Sequence, residues 1–154
     1  MKKALVLDTC LLVLLVVGAT NRKYILKHKN LYPVYNERHF DKLIEVINTA
    51  PFVVCTAHIL TETSNLLRQI GNPMRSEIME VFRQFVHRSR ELRVDGATAS
   101  NAPIFIRLGL TDAAIVSLDA DEVAILTVDH NLHIAASHAG FDVFNLTPYF
   151  HESP

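Results

Sequence analysis

An acidic residue interrupts a long apolar run near the start of the chain. Asp8 lies in the otherwise apolar stretch of residues 4–17, which is rich in Leu and Val. An ionised carboxylate in such a place costs several kcal/mol unless it is paired, coordinates a metal ion or is solvated at the end of a strand. Residues 3–8 are typical of a short buried strand with its polar residue at the carboxyl end. The fold must therefore supply Asp8 with a partner.

The first residues also resemble a targeting signal, because Lys2 and Lys3 precede the apolar run. Asp8, however, places a charge where an apolar segment would enter a membrane, and the uninterrupted apolar residues 10–17 are too few to span a bilayer. We therefore expect no membrane association. The two cysteines, Cys10 and Cys55, give no disulfide framework and suit a reducing cytoplasm.

The size and composition of the chain indicate one globular domain. Its 154 residues are 49% hydrophobic and 20% charged, which is typical of a folded protein. We assign residues 1–150 to the domain and residues 151–154 to a C-terminal tail. The net charge of -1 excludes neither nucleic-acid nor protein partners, since a neutral protein can be basic on one face.

Strand and helix patterns alternate along the chain. Strands are predicted at residues 3–8, 52–55, 92–94, 123–128 and 141–146. Helices are predicted at residues 9–17, 37–48, 57–70, 74–90, 102–108, 111–118 and 129–138, with Gly18 ending the first helix and residues 21–35 forming an irregular loop or insertion. This alternation predicts an α/β fold with a parallel sheet and helices on both faces.

Acidic residues recur near the points where predicted strands give way to helices, with Glu62 about one and a half turns into its helix. They are Asp8, Glu62, Asp112 and Asp129. Ligands of open α/β sheets bind beyond the carboxyl ends of the strands, where these side chains would converge. Converging carboxylates repel one another without a cation, and oxygen-only ligands suit Mg²⁺ or Mn²⁺ rather than zinc. Such ions support phosphodiester hydrolysis.

Each acid also has a simpler interpretation. Asp112 and Asp129 each start a helix, so both could be N-terminal caps or partners of the helix dipole. Glu62 could be a solvated helix residue. Asn65 and Arg68 follow Glu62 on the same helix and could face the site, where Arg68 would hold a phosphate. Asp8 is the hardest of the acids to explain in any other way.

Four short motifs together resemble the PIN-domain ribonucleases. They are Val6-Leu7-Asp8-Thr9, Ile59-Leu60-Thr61-Glu62, Leu110-Thr111-Asp112-Ala113-Ala114-Ile115 and Leu126-Thr127-Val128-Asp129-His130-Asn131-Leu132. The resemblance implies a five-stranded parallel sheet in the order 3-2-1-4-5. It also implies Mg²⁺- or Mn²⁺-dependent cleavage of single-stranded RNA, with Asp8, Glu62, Asp112 and Asp129 as catalytic and metal-binding acids. Thr9 and Thr127 match the family's supporting polar residues.

The chain departs from the family pattern at two places. Cys10 stands where PIN domains often carry asparagine, and a thiol lacks the amide's hydrogen bonds. The polar segment of residues 21–35 is longer than the helical hairpin common in compact VapC-type toxins.

Three functions follow as hypotheses. The first is an endoribonuclease in the cytoplasm, either the toxin of a toxin–antitoxin pair or an RNA-processing enzyme. Its expected partners are RNA, an antitoxin or other protein, and further copies of the chain. The second is a catalytically weak PIN-like module that binds RNA or a protein. The third is a phosphotransfer protein or phosphatase with Asp8 as nucleophile, although phosphatases of the haloacid-dehalogenase type carry a second Asp where this chain has Cys10.

Overall fold

Five parallel strands form the sheet at the centre of the molecule. The computed structural model describes residues 1–151. The strands are β1 (Ala4–Leu7), β2 (Val53–Cys55), β3 (Arg90–Glu91), β4 (Val123–Thr127) and β5 (Asp142–Asn145). Their order is β3-β2-β1-β4-β5, and every neighbouring pair is parallel. Helices flank the sheet, so the predicted fold class and strand order are confirmed.

The helices follow the strands in sequence. They are α1 (Thr9–Thr20), α2 (Glu37–Ile47), α3 (Ala57–Leu67), α4 (Met74–Arg88), α5 (Gly96–Ser100), α6 (Phe105–Leu108), α7 (Leu110–Val116), α8 (His130–His138) and α9 (Thr147–Phe150), with a 3₁₀ helix at Arg22–Lys27. None of the helices within residues 1–151 is long and apolar enough to cross a membrane. Residues 152–154 of the predicted tail lie outside the described part of the chain.

Strands β1 and β4 form the buried centre of the sheet and determine where the acids meet. Every residue of both strands is buried, as expected for parallel strands covered on both faces. They pair from Ala4 with Val123 to Leu7 with Leu126. This register places Asp8, which follows β1, beside Thr127 at the end of β4.

The prediction that Gly18 ends α1 is wrong, because the helix continues to Thr20. α1 is apolar on all sides and contacts α2, α3 and α4. The ring of Phe40 in α2 lies where a side chain at position 18 would be, and a Cβ atom there would come within 2.2 Å of Phe40 Cδ2. Gly18 is therefore a close-packing site rather than a helix stop.

The third strand lies two residues earlier than predicted. Residues 92–94 are not a strand; Arg90 pairs with Val54 and Glu91 with Cys55, so the register of β2 determines where β3 begins. Leu92 then donates its backbone N–H to the carbonyl of Cys55 at 2.7 Å. This hydrogen bond ends the pairing on the edge strand.

The segment of residues 21–35 is more ordered than the predicted irregular loop. It contains the 3₁₀ helix and buries Ile25, His28, Leu31 and Tyr35. The ring Nε2 of His28 lies 3.2 Å from the carbonyl oxygen of Leu67 at the end of α3. Apolar side chains and this polar contact hold the segment against the helices. The short helices α5 and α9 were not predicted, since four or five residues are too few to show a helical period.

Candidate metal centre

Asp8 is buried and accepts hydrogen bonds from two separate parts of the fold. It is the N-cap of α1, and its Oδ1 accepts the backbone N–H of Leu11 at 3.0 Å. Its Oδ2 accepts the Thr127 hydroxyl and the backbone N–H of Val128, the latter at 3.0 Å. The carboxylate that seemed out of place in an apolar run therefore joins α1 to the end of β4. These donors compensate much of the cost of burying it.

Asp129 lies beside Asp8 at the carboxyl end of β4. Its backbone N–H donates to the buried Thr127 hydroxyl at 2.9 Å, so Thr127 connects the two acids. Asp129 is the N-cap of α8, and its Oδ1 accepts the N–H of Leu132 at 3.0 Å. The cap interpretation is therefore correct for Asp129. The capping hydrogen bond uses only Oδ1 of Asp129, so Oδ2 is left for a ligand.

Asp112 and Glu62 approach the same edge from α7 and α3. Asp112 lies in the first turn of α7, but Gly109 occupies the N-cap position, so the cap interpretation does not hold for Asp112. Its carboxylate makes no hydrogen bond within residues 1–151. Glu62 is exposed and accepts a hydrogen bond from the Thr111 hydroxyl, which connects α3 to α7. Thr111 was part of the sequence motif but was not predicted to position an acid.

The charges of neighbouring acids act on Asp112 and Asp8. Burial raises the pKa of Asp112 to about 6, and the charges of Asp129, Asp8 and Glu62 add to this effect. Burial also raises the pKa of Asp8, against the opposing effect of its three hydrogen bonds, and Asp129 contributes in the same direction as burial. The ion pairs within residues 1–151 involve none of these acids. The centre therefore has negative charge that no nearby Lys or Arg neutralises.

The chemistry of this donor set fits a hard divalent cation, whereas its present geometry does not form a closed site. Carboxylate oxygens are the ligands that Mg²⁺ and Mn²⁺ prefer. No three Asp, Glu, His or Cys side chains within residues 1–151 lie close enough together to hold a metal ion as they stand. Glu62 and Asp129 are exposed and each is held by one hydrogen bond, so their side chains have room to move towards the more buried Asp8 and Asp112. Binding of a cation would thus require the acidic side chains to move together, because the coordination site is not preformed.

Cys10 lies among the acids, where the PIN-domain pattern often has asparagine. The pKa of its thiol is raised to about 11. Desolvation is the largest cause, and the negative charges of the acidic centre raise the pKa further; these are the charges of Asp8, Asp129, Glu62 and Asp112. The side chain is therefore a neutral thiol at ordinary pH. A neutral thiol is a poor ligand for an oxygen-preferring cation, so Cys10 does not extend the donor set.

The remaining predicted site residues have less defined positions. Thr9 is the first residue of α1 and is half-buried, and Asn65 is exposed on α3. Arg68 is the C-cap of α3, and its guanidinium makes no ion pair within residues 1–151. Six residues of helix place Arg68 about 120° around the axis from Glu62. The fold thus brings the four acids and Thr127 together, and the roles of Thr9, Asn65 and Arg68 remain predictions.

Tyr35 is a residue near the centre that the sequence did not reveal. It is 9% exposed, and its pKa is raised by burial and then by the charges of Cys10 and Asp8. Local pattern gave no signal for it, because it lies in a segment predicted to be irregular. Only the folding of residues 21–35 against α1 brings Tyr35 towards the end of β1.

The raised pKa of Asp112 predicts a pH-dependent stability. In the folded protein the Asp112 carboxyl keeps its proton up to about pH 6, whereas the ordinary pKa of an aspartate side chain is 3.8. Between these values the folded state binds more protons than the unfolded chain, so the free energy of unfolding falls as the pH rises. In protein treated with EDTA, Asp112→Asn is expected to reduce this fall by the contribution of Asp112, while that of Asp8 stays. The variant should be more stable than wild type at neutral pH by about 1–2 kcal/mol, a figure reduced for solvent screening.

Urea unfolding at about pH 4 and about pH 7 measures this difference. Asp121→Asn is the matched control, since Asp121 is an exposed acid before the opposite end of β4. If wild type and Asp112→Asn lose stability equally over this interval, Asp112 does not have a raised pKa.

Comparison of the sequence with models of known protein families and with curated proteins found no match, and neither did comparison of the fold with solved structures. The resemblance to PIN-domain ribonucleases is therefore a hypothesis that depends on the four acidic motifs. The chemistry of the site is argued from its own residues.

Proposed function

We propose that the chain is a metal-dependent endoribonuclease of the PIN-domain type, which uses Mg²⁺ or Mn²⁺ to hydrolyse phosphodiester bonds of single-stranded RNA. The observation that carries the proposal is the acidic centre at the carboxyl edge of the sheet. Asp8 and Asp129 follow neighbouring parallel strands, and their charges act, together with that of Glu62, on Asp112. Excess negative charge without a basic partner favours a divalent cation and, through it, a phosphate.

The acids have different tasks in this proposal. Asp8 is held rigidly by three hydrogen bonds and provides the fixed side of the centre. Asp112 has no hydrogen-bond partner within residues 1–151 and has a raised pKa, so a cation would displace its proton near neutral pH. Asp129 and Glu62 lie at the exposed side and would complete the ligand set. The bound ion would polarise the phosphate, lower the pKa of a water molecule and stabilise the leaving oxygen.

A catalytically weak PIN-like module that binds RNA or a protein is the second candidate. Cys10 favours it, because a neutral thiol replaces an amide that would orient a carboxylate or a water molecule. The open arrangement of the acids also favours weak binding of the metal. This candidate predicts RNA binding without cleavage.

We further propose a cytoplasmic location and a role either as the toxin of a toxin–antitoxin pair or in RNA processing. Both cysteines of the described chain are free thiols, which agrees with a reducing compartment. An antitoxin or other protein, and further copies of the chain as a homo-oligomer, are proposed partners. Light scattering during size-exclusion chromatography measures the oligomer, and growth of cells that express the chain distinguishes a toxin from a processing enzyme.

A cleavage assay on single-stranded RNA of mixed sequence tests the main proposal. Wild type is expected to cleave the RNA in the presence of Mn²⁺ or Mg²⁺ and to stop when EDTA is added. Asp8→Asn is expected to lose the activity, because it removes one charge from the rigid side of the centre. Calorimetric titration with Mn²⁺ measures metal binding without relying on catalysis.

Two outcomes would contradict the proposal. Equal cleavage by wild type and Asp8→Asn would place the activity elsewhere, and absence of both Mn²⁺ binding and cleavage would favour the non-catalytic module. Circular dichroism of Asp8→Asn is the control for folding, since the substituted side chain also caps α1.

A further inference from the structure

A small cleft lined by aromatic rings lies next to the acidic centre. Its volume is about 190 Å³, and its walls include Tyr35, His39, Val128, Thr147 and Phe150. We call it the aromatic cleft. Val128 connects it to the centre, because Val128 precedes Asp129 and donates its backbone N–H to Asp8. A group bound in the aromatic cleft would thus lie near Asp8 and Asp129.

The wall of the cleft is held in place by one histidine. Nδ1 of His39 accepts the backbone N–H of Asn36 at 3.2 Å, so the ring proton lies on Nε2. Nε2 then donates to the carbonyl of Phe150 at 3.0 Å. The two rings stack with centroids 4.4 Å apart, and Tyr35 lies edge-on to both at 6.0 Å. This network joins α2 to α9 and fixes the shape of the cleft before any ligand binds.

The cleft contains polar groups that the fold leaves available. The Tyr35 hydroxyl has no hydrogen-bond partner within residues 1–151, although the residue is only 9% exposed. Among residues 1–151 the buried polar atoms without a partner are His58 Nδ1 and Thr63 Oγ1, so the Tyr35 hydroxyl itself reaches the surface and can form a hydrogen bond with a ligand. The Thr147 hydroxyl donates to the carbonyl of Val128 at 3.2 Å and can still accept a hydrogen bond.

We propose that the aromatic cleft binds one nucleobase of the RNA substrate, that of a nucleotide next to the scissile phosphate. The inference rests on the proposed nuclease function and adds a specificity site to it. Unpaired bases stack on Phe, Tyr and His rings and form hydrogen bonds through their edges, which matches the rings and hydroxyls of this cleft. Its volume is below the roughly 300–1,000 Å³ of pockets for drug-sized ligands, so it suits one flat ring system.

A second groove, which shares His39 and Phe150 with the aromatic cleft, would continue the path of the RNA. It has a volume of about 340 Å³, and Arg38 and Lys42 line it. Lys42 pairs with Glu45 at 3.5 Å, whereas Arg38 makes no ion pair within residues 1–151. Arg38 is therefore available for the phosphate of the next nucleotide.

Sequencing the ends of partially cleaved RNA tests the proposal. Wild type, with Mn²⁺ and RNA of random sequence, is expected to prefer one base at a position next to the cut. Tyr35→Phe keeps the ring and removes only the hydroxyl, and it should weaken this preference about three- to tenfold. Tyr32→Phe is the matched control, because Tyr32 is 57% exposed on the same segment as Tyr35 and lines neither the aromatic cleft nor the second groove. An unchanged preference in Tyr35→Phe, or no preference in wild type, would overturn the proposal.

A binding measurement in EDTA separates the cleft from the nuclease activity. In saturation-transfer NMR with the four nucleoside 5′-monophosphates, the base protons of one nucleotide are expected to receive the strongest signal. This signal should fall in Tyr35→Phe and persist in Tyr32→Phe. If wild type fails to cleave RNA, the proposed nuclease function is wrong, and this measurement alone shows whether the aromatic cleft binds a nucleobase. Equal signals in the three proteins, or no signal on the base protons, would overturn the inference.

Discussion

Asp129→Asn is expected to lower the rate of Mn²⁺-dependent RNA cleavage by about 10²- to 10³-fold, the scale of losing one electrostatic interaction with a transition state. The substitution keeps the oxygen that accepts the N–H of Leu132, so α8 retains its cap. It removes the charge from the exposed side of the acidic centre. Activity should therefore fall without a comparable loss of stability. Single-turnover cleavage rates and thermal unfolding measure the two quantities.

Asp121→Asn is again the matched control, because it removes an exposed charge away from the carboxyl end of β4. Its cleavage rate should equal that of wild type. A rate for Asp129→Asn within a few-fold of wild type would show that Asp129 is only a helix cap. In that case the centre would have to function with Asp8, Asp112 and Glu62 alone.

Gly18→Val is expected to reduce the free energy of unfolding by about 3 kcal/mol, the upper part of the usual range for overpacked cores. A Cβ atom at position 18 would already lie 2.2 Å from Phe40 Cδ2, and the two methyl groups of valine would deepen the overlap. Phe40 is 7% exposed and belongs to the main core, so its ring cannot simply turn into solvent. Urea unfolding with a linear extrapolation measures the loss.

Gly96→Val tests whether the effect comes from packing rather than from glycine replacement in a helix. A Cβ atom at position 96 would meet nothing within 4 Å, so this variant should stay within about 0.5 kcal/mol of wild type. Adding Phe40→Ala to Gly18→Val should recover part of the loss, because it opens the space that valine needs. If the effects of Gly18→Val and Phe40→Ala on the free energy of unfolding are additive, the side chains at the two positions do not overlap sterically.

The sequence predicted the elements that place Asp8 and Asp129. The apolar strands and the capping positions after them depend on neighbouring residues, and β1, β4 and α8 lie within two residues of their predicted bounds. The same local reasoning failed at Gly18. Glycine often ends a helix, but here the approach of Phe40 from α2 explains it, and that contact spans 22 positions of the chain.

The sequence by itself determined the alternation of strands and helices and the position of Asp8, Asp112 and Asp129 at or near the start of a helix, because period and capping are properties of adjacent residues. Only the tertiary structure decided that the Thr127 hydroxyl would donate to Asp8, that Thr111 would donate to Glu62 and that Tyr35 would lie near Asp8. These contacts join residues far apart in the chain. They depend on strand register and on how closely the helices pack, which no local pattern of residues records.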